Sequence, residues 1–385
     1  MMWKKMAYYV LTICLILTLL PAPSLAANEL NIEGEACILV DGISGQVLYS
    51  HNADKKWFPA STTKIMTLVL ALEAVAEGRA SLEDPVTTSE YAAGMGGSQV
   101  YLYPGETRTL HEMLIAIAVG SGNDASTAVA EYLGGSNEGF VKMMNDKAKA
   151  LGMKNTNFVN SHGLHDDNHY TTAEDMAKLG VYALKVPKML EYTSIYEYDF
   201  RPEPKPLKLW NTNRLLKWYE GCDGLKTGTT ALAKRNLVST AEKNNLRLVG
   251  VVLGVGKTNG HFTESMKLLN YGFNQFEFLE MYPAGKELIT LPIGKGEVDQ
   301  VGLVTANKVG IVQKKGEKAN LSSKATATKY ITAPIKKGDK LGELTLIRDG
   351  KEIDKIDLVA NQDVGRGGLG RQITKMLRQV TLAQK

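Results

Sequence analysis

Ser61 and Lys64 are the two residues of this 385-residue chain whose types and spacing most directly suggest chemistry. They form the only Ser-x-x-Lys in the sequence, and the apolar run over residues 65–74 predicts that a buried helix begins here. Residues three apart share a helical face, so the Lys64 amine can reach the Ser61 hydroxyl. A buried lysine with a lowered pKa can act as a base toward serine, although a helix-capping serine followed by a solvated lysine has the same pattern.

Ser121 and Asn123 form a second candidate group, because they lie between two helical patterns at residues 111–119 and 124–133. A tight connection between helices can present a hydroxyl and an amide to a cleft. The Ser-x-Asn pattern alone is weak, since residues 50–52 share it where a strand is expected to end. The position between two helices is therefore what favours a functional role for Ser121 and Asn123.

A third polar group follows the turn-rich residues 221–224 and comprises Lys226, Thr227, Gly228 and Thr229. It contains the only Lys-Thr-Gly of the chain. On a strand that lines a cleft, the lysine supplies positive charge, the threonines supply hydroxyls, and the glycine permits close backbone approach. Without the other two groups, the same residues would describe an ordinary turn.

The three groups, in this order along the chain, match a signature shared by serine β-lactamases and penicillin-binding proteins. With them, the chain resembles the low-molecular-mass penicillin-binding proteins that act as serine-type D-alanyl-D-alanine carboxypeptidases. The resemblance covers nearly the whole chain and includes longer matches at residues 58–67, 163–173 and 222–228. Thr229 is a departure, because some members have histidine there.

The resemblance and the ordered motifs imply a role for each candidate residue. Lys64, or a relay through it, deprotonates Ser61, which attacks the carbonyl between two terminal D-alanines of a peptidoglycan stem peptide. Ser121 passes a proton to the leaving D-alanine, and the amides of Ser61 and Thr229 stabilise the oxyanion. The expected substrate-binding residues are Asn123, Lys226, Thr227, Gly228 and Thr229. β-Lactam antibiotics are expected to acylate Ser61.

The order of periodic patterns predicts an α+β fold. Helical patterns dominate residues 61–187, and residues 264–271 predict a closing helix. Strand patterns occupy residues 35–40, 46–50, 235–241 and 247–254. Helices inserted into an antiparallel sheet imply one catalytic domain, which the resemblance identifies as penicillin-binding or β-lactamase-like. Short strand patterns at residues 287–291, 302–305, 329–332 and 344–347 predict a small all-β domain after it.

The chain therefore divides into four expected parts. Residues 1–27 have the basic start, apolar run and small-residue end of a secretory signal, with an N-terminal membrane anchor as the alternative. The catalytic domain is expected at residues 28–280 and the β-rich domain at residues 281–365. Residues 366–385 carry five basic residues, no acidic residue and apolar residues at helical spacing, which is typical of an amphipathic helix on an anionic membrane. A terminal helix that packs on its own domain is the alternative.

Composition limits the remaining function classes. The chain is 44% hydrophobic and 22% charged, with a formal net charge of +4 and no nucleic-acid-binding motif, so a folded enzyme without a nucleic-acid partner is expected. After loss of the signal, Cys37 and Cys222 remain, and we expect free thiols, with a disulfide between them as the alternative. No cofactor is expected, because no metal-ligand spacing is visible.

Three other functions fit part of the sequence. A serine β-lactamase shares the motifs but must deacylate the drug quickly, and Glu174 and Asp175 are better explained as acids that open a helix. A metal-dependent peptidase could use His162, His165 and His169, although their segment is turn-like. A non-catalytic wall-binding protein would have no reason to keep the three polar groups.

Deletion of residues 366–385 should release the enzyme from the outer face of the plasma membrane, since the basic amphipathic segment is expected to hold it there. Activity of full-length and truncated protein, measured in membrane and soluble fractions of the producing cell, checks this expectation. Activity that stays with the membrane after truncation would contradict it.

Overall fold

The helices and strands of this chain are taken from a computed structural model that describes residues 30–202, 205–328 and 330–372. In the described residues, the helices are α1 (Lys64–Ala76), α2 (Glu90–Ala93), α3 (Leu110–Ala118), α4 (Asn123–Gly134), α5 (Asn137–Ala150), α6 (Ala173–Ala183), α7 (Met189–Thr193), α8 (Leu215–Trp218) and α9 (Gly260–Gln275). The strands are β1 (Ala36–Asp41), β2 (Val47–His51), β3 (Pro85–Thr87), β4 (Thr107–Thr109), β5 (Glu197–Arg201), β6 (Leu207–Trp210), β7 (Cys222–Thr230), β8 (Lys234–Lys243), β9 (Leu246–Val255), β10 (Phe276–Tyr282), β11 (Glu287–Gly294), β12 (Gln300–Thr305), β13 (Val309–Lys314), β14 (Leu321–Ala327), β15 (Ile331–Thr332), β16 (Lys340–Arg348) and β17 (Lys351–Ala360).

The first part of the chain is built on a five-stranded antiparallel sheet in the order β2-β1-β9-β8-β7. Successive side chains of a strand point to opposite faces, and both faces of this sheet are covered. In β1, Ile38 and Val40 belong to a core with the helices of the insertion, whereas Cys37 and Leu39 belong to a second core with α9. Burial on both faces explains why β1 and β9 read as continuous apolar runs.

The helical insertion between β2 and β7 surrounds α1, whose residues are almost all buried. Local sequence fixes where these helices begin. Thr109 and Glu112 form a reciprocal capping box at the start of α3, and Thr172 caps α6 by accepting a hydrogen bond from the amide of Asp175. The insertion thus presents α1 and the α3–α4 connection to the edge strand β7.

The second part of the chain is all-β. A six-stranded sheet in the order β14-β16-β17-β12-β11-β15 and a separate β10–β13 pair enclose their own apolar core. Lys308 donates a hydrogen bond to Glu242 of β8 at 3.0 Å, so an ion pair joins this part to the central sheet.

The structure confirms the α+β class and the antiparallel sheet with its helical insertion. The closing helix is longer than its pattern predicted, because α9 begins at Gly260 rather than at residue 264. Two short antiparallel strand pairs, β3–β4 and β5–β6, lie among the helices of the insertion and were not predicted. Strands β10, β13, β14 and β17 were also missed, because polar or charged residues in each of them interrupt the apolar pattern.

The two predicted terminal segments lie largely outside the described residues. The predicted signal at residues 1–27 lies before residue 30, and residues 373–385 of the predicted amphipathic helix lie beyond residue 372. None of the described helices has the length and apolar character needed to cross a bilayer. Cys37 and Cys222 are free thiols, as expected.

Candidate active site

Ser61 lies in a 3₁₀ turn, Ala60–Thr63, that leads directly into α1. Strand β7 packs against this turn. A Cβ atom built on Gly228 would lie 2.7 Å from the carbonyl oxygen of Pro59 and 2.9 Å from the amide nitrogen of Ser61. Only glycine fits between these two backbones without displacing one of them. This close approach brings the nucleophile candidate and the Lys-Thr-Gly strand together.

The Lys64 amine is completely buried and contacts three oxygen atoms. Its Nζ lies 3.1 Å from Ser61 Oγ, 2.6 Å from Asn123 Oδ1 and 2.7 Å from the carbonyl oxygen of His162. Burial, with a further contribution from the charge of Lys226, places the pKa of Lys64 well below its ordinary value. A neutral amine has two N–H groups and one lone pair. If Asn123 and His162 accept the two N–H groups, the lone pair faces the Ser61 hydroxyl.

Asn123 is held by the loop that precedes α3. Its side-chain Nδ2 donates to the carbonyl oxygen of Gly96 at 2.7 Å, and its amide donates to the carbonyl oxygen of Ser98 at 2.7 Å. The buried carboxylate of the next residue, Asp124, accepts hydrogen bonds from the amides of Val100 and Leu102. These bonds fix the Asn123 oxygen toward Lys64.

Ser121 occupies the connection between α3 and α4 that the sequence predicted. It is buried and has φ +58°, in the left-handed region that non-glycine residues rarely adopt. Such a backbone turns the short connection tightly enough to place Ser121 on the same cleft as Ser61.

Lys226 is a second buried lysine, and its environment differs from that of Lys64. Its Nζ donates to Thr212 Oγ1 at 3.2 Å, and the Oγ1 atoms of Thr212 and Thr227 are 2.6 Å apart. Burial lowers the pKa of Lys226 to about 7. Near neutral pH, an anion placed beside Lys226 would therefore favour its protonated, positively charged form.

These groups meet at a cleft of about 660 Å³. Of the predicted site residues, Ser61, Ser121, Thr227, Gly228 and Thr229 line it. Lys64, Asn123 and Lys226 are buried next to these residues without lining the cleft. The three groups that are distant in sequence thus form one continuous arrangement of candidate nucleophile, buried amine and polar strand.

Sequence reasoning missed part of this cleft. The carbonyl oxygen of His162 completes the Lys64 site, and no side-chain motif could have indicated a backbone acceptor. Further lining residues also lacked a motif; they are Ser98, Tyr196, Trp210, Asn211, Thr212, Arg214, Trp218, Asn259, His261 and Phe262.

The three histidines of the alternative metal site have other surroundings. Nδ1 of His162 accepts from the amide of Leu164 at 3.1 Å, and Nδ1 of His169 accepts from the amide of Val159 at 3.1 Å. Burial lowers the pKa of His162 to about 3 and that of His169 to about 4. Within the described ranges, no three histidine, cysteine or acidic side chains gather as metal ligands would.

Glu174 and Asp175 lie in the first turn of α6, as the sequence predicted. The buried carboxylate of Asp175 accepts hydrogen bonds from the amide of Asn155 and the hydroxyl of Thr156. Neither acid is among the residues that line the cleft.

Comparisons with known proteins agree on one family. The model of the D-alanyl-D-alanine carboxypeptidase family matches residues 23–257, and that of the penicillin-binding protein 5 C-terminal domain matches residues 276–366. The D-alanyl-D-alanine carboxypeptidase DacF of Bacillus subtilis is 42% identical over 344 residues, which cover 89% of this chain and 88% of DacF.

Solved structures give the same result. Penicillin-binding protein 5 of Haemophilus influenzae is 34% identical with a TM-score of 0.68, and the match covers 87% of this chain and 98% of that one. Penicillin-binding protein D2 of Listeria monocytogenes, in an ampicillin-bound form, is 31% identical with a TM-score of 0.57 and covers 66% of this chain and 100% of its own.

Substitution of Gly228 by alanine should destabilise the fold, because the new Cβ would overlap Pro59 and the Ser61 amide. Overpacking of this kind costs about 1–3 kcal/mol of unfolding free energy. Gly256→Ala is the matched control, since nothing lies within 4 Å of the position of its Cβ. Urea unfolding measures both variants. An equal effect of the two substitutions would show that the close approach at Gly228 is not tight.

The buried Lys226 should make folding stability depend on pH. Its folded pKa of about 7 lies below the ordinary 10.5, so between these values the unfolded chain binds a proton that the folded chain does not. Stability then rises with pH in this window, by about 1 kcal/mol per pH unit.

Urea unfolding of the wild type and of Lys226→Met at about pH 7.5 and about pH 9 isolates this contribution. The stability of the wild type relative to Lys226→Met should rise with pH, whereas the exposed Lys257→Met should follow the wild type. Parallel curves for the wild type and Lys226→Met would contradict a neutral buried amine.

Proposed function

Because this chain belongs to the D-alanyl-D-alanine carboxypeptidase family of penicillin-binding proteins, we propose that it removes the terminal D-alanine of peptidoglycan stem peptides through an acyl-enzyme on Ser61. It is a serine-type carboxypeptidase and a hydrolase. The observation that carries the assignment of Ser61 is the 3.1 Å separation between its Oγ and the buried Lys64 Nζ. The lowered pKa of Lys64 makes a neutral amine available as a base.

Acylation is proposed to begin with transfer of the Ser61 proton to Lys64. Ser61 Oγ then bonds to the carbonyl carbon between the two D-alanines, and the oxyanion receives hydrogen bonds from the amides of Ser61 and Thr229. The C–N bond breaks as Ser121 delivers its proton to the amine of the leaving D-alanine and takes up the proton that Lys64 had accepted from Ser61, which returns Lys64 to its neutral form. Water hydrolyses the resulting ester and returns the proton to Ser61.

Substrate is proposed to bind between the α3–α4 connection and β7. Asn123 orients Lys64 and the substrate backbone. Its side-chain amide is already held by the Gly96 carbonyl and its backbone N–H by the Ser98 carbonyl. Lys226, Thr227 and Thr229 hold the terminal carboxylate, with Gly228 allowing the strand to approach the nucleophile.

β-Lactams are proposed to occupy the same site. Their strained amide places a carbonyl where the D-Ala-D-Ala peptide carbonyl would lie, so Ser61 opens the ring and retains the product as an ester. The Listeria monocytogenes relative with ampicillin bound supports this proposal. A serine β-lactamase finds less support, because no acidic side chain lines the described part of the cleft to activate a deacylating water.

The wider organisation of the chain is also a proposal. Residues 1–27 act as an export signal, residues 28–280 form the catalytic domain, and residues 281–365 form the β-rich domain. Residues 366–385 attach the enzyme peripherally to the outer face of the plasma membrane, where peptidoglycan lies. The basic, acid-free composition of this last segment supports the attachment.

Ser61→Ala should abolish covalent labelling by penicillin, because the variant lacks the attacking oxygen. Intact-protein mass spectrometry after incubation with the drug detects the adduct. Ser98→Ala is a matched control, since Ser98 lines the same cleft but has no proposed covalent role. It should keep the adduct, and an adduct retained on Ser61→Ala would refute the assignment of the nucleophile.

A further inference from the structure

One side of the active-site cleft is built from four aromatic residues that the proposed chemistry does not use. This aromatic flank comprises Tyr196, Trp210, Trp218 and Phe262, and all four line the cleft with Ser61. The rings form two edge-to-face pairs, with centroids 6.0 Å apart for Tyr196 and Trp210 and 5.4 Å apart for Trp218 and Phe262. Three separate elements supply them, the β5–β6 hairpin, α8 and the start of α9.

The flank exposes more apolar surface than the methyl group of D-alanine can cover. Trp210 is 55% exposed and Trp218 is 50% exposed. Covering such apolar surface with an apolar ligand group is favourable. Tyr196 is partly buried and Phe262 is buried, so the exposed ring surface belongs mainly to the two tryptophans. Half-exposed aromatic rings in a cleft are typical of a ligand site.

Hydrogen bonds place the flank beside the proposed carboxylate site. Trp210 is followed by Asn211 and Thr212, and Thr212 Oγ1 lies 2.6 Å from Thr227 Oγ1 and 3.2 Å from Lys226 Nζ. Thr227 and Lys226 are the groups proposed to hold the terminal carboxylate. The flank therefore lies next to the terminal residue of the substrate.

Positively charged residues around the flank should affect which substrate side chains it can bind. Lys208 lies over the ring of Trp210 at 5.1 Å, Lys217 over Tyr196 at 4.8 Å and Arg214 over Trp218 at 5.4 Å. Among the described residues that line the cleft, none is acidic. Glu197 pairs with Lys208 at 3.3 Å, so the like charges that a cationic side chain would meet here are mainly those of Lys217 and Arg214. An apolar side chain would instead meet the exposed ring surface of the two tryptophans.

We propose that the aromatic flank is a subsite for the side chain of the terminal D-residue. The enzyme accordingly releases large apolar D-amino acids, such as D-phenylalanine, as well as D-alanine, and disfavours D-lysine. This inference rests on the carboxypeptidase reaction and on Thr227 as a carboxylate ligand. It adds a specificity for the leaving residue to that reaction.

The test compares three peptides, diacetyl-L-Lys-D-Ala-D-Ala and the same peptide ending in D-Phe or D-Lys, by kcat/KM of the full chain. The wild type should cleave the D-Phe peptide within about tenfold of the D-Ala peptide and the D-Lys peptide at least about tenfold more slowly than the D-Phe peptide.

Trp218→Ala should lower the D-Phe value by about tenfold and the D-Ala value by less than about threefold, because only the larger side chain loses its contact. Trp218→Phe should restore most of the D-Phe activity. Tyr91→Ala removes an equally exposed aromatic residue outside the cleft and should change neither value. Unchanged penicillin acylation would show that the variants keep the nucleophile in place.

Several results would overturn the subsite. One is discrimination of more than about 100-fold against the D-Phe peptide by the wild type. Another is an equal loss of kcat/KM on the D-Ala and D-Phe peptides in Trp218→Ala. A third is a loss of activity confined to polymeric peptidoglycan, which would mean that the flank binds a neighbouring peptidoglycan strand. Cleavage of the D-Ala peptide alone would refute the subsite and leave the carboxypeptidase intact. A wild type that cleaves none of the peptides and is not acylated would refute both proposals.

Discussion

The burial of the Lys64 amine is the constraint on which the rest of this site depends. An ammonium group loses several kcal/mol of hydration free energy when it is taken out of water. The site must therefore supply oxygen atoms in place of water, and the pKa of the amine falls so that the neutral form is favoured. Three oxygen atoms surround Nζ, and each comes from a different part of the chain: Ser61, Asn123 and the carbonyl of His162. Because those parts must converge on one atom, the helical insertion cannot shift without leaving a buried nitrogen unsatisfied.

The second lysine shows why two buried amines can coexist in one cleft. Lys226 lies on β7 and donates to the hydroxyl of Thr212, whereas Lys64 contacts an amide oxygen and a carbonyl oxygen besides the Ser61 hydroxyl. Burial lowers the pKa of both amines, and the positive charge of Lys226 lowers the pKa of Lys64 further, because two positive charges in a poorly solvated site would repel. The two amines therefore differ in position: Lys64 lies beside Ser61, and Lys226 lies beside a candidate anion site.

Much of this arrangement could be read from the sequence. The three groups of polar residues, their order, and their placement on a helix start, an interhelical connection and a strand were all predicted and are found in the structure. The strongly periodic elements were also predicted, because helix and strand periods are local properties. The hairpin β5–β6 and strand β14 were not, since short or polar strands are stabilised mainly by pairing with distant partners.

The sequence by itself determined which residues can do chemistry here: a serine three residues before a lysine, a second serine with an amide, and a lysine with threonines around a glycine. Tertiary structure alone decided that Lys64 is buried, that the His162 carbonyl accepts from it, and that Gly228 touches the Ser61 turn. It also decided that an aromatic flank borders the cleft. The physical reason is that residue type sets which proton transfers and contacts are possible. The pKa of a group depends on its burial, and its contacts depend on its distance from other atoms; both are decided by residues far apart in the chain.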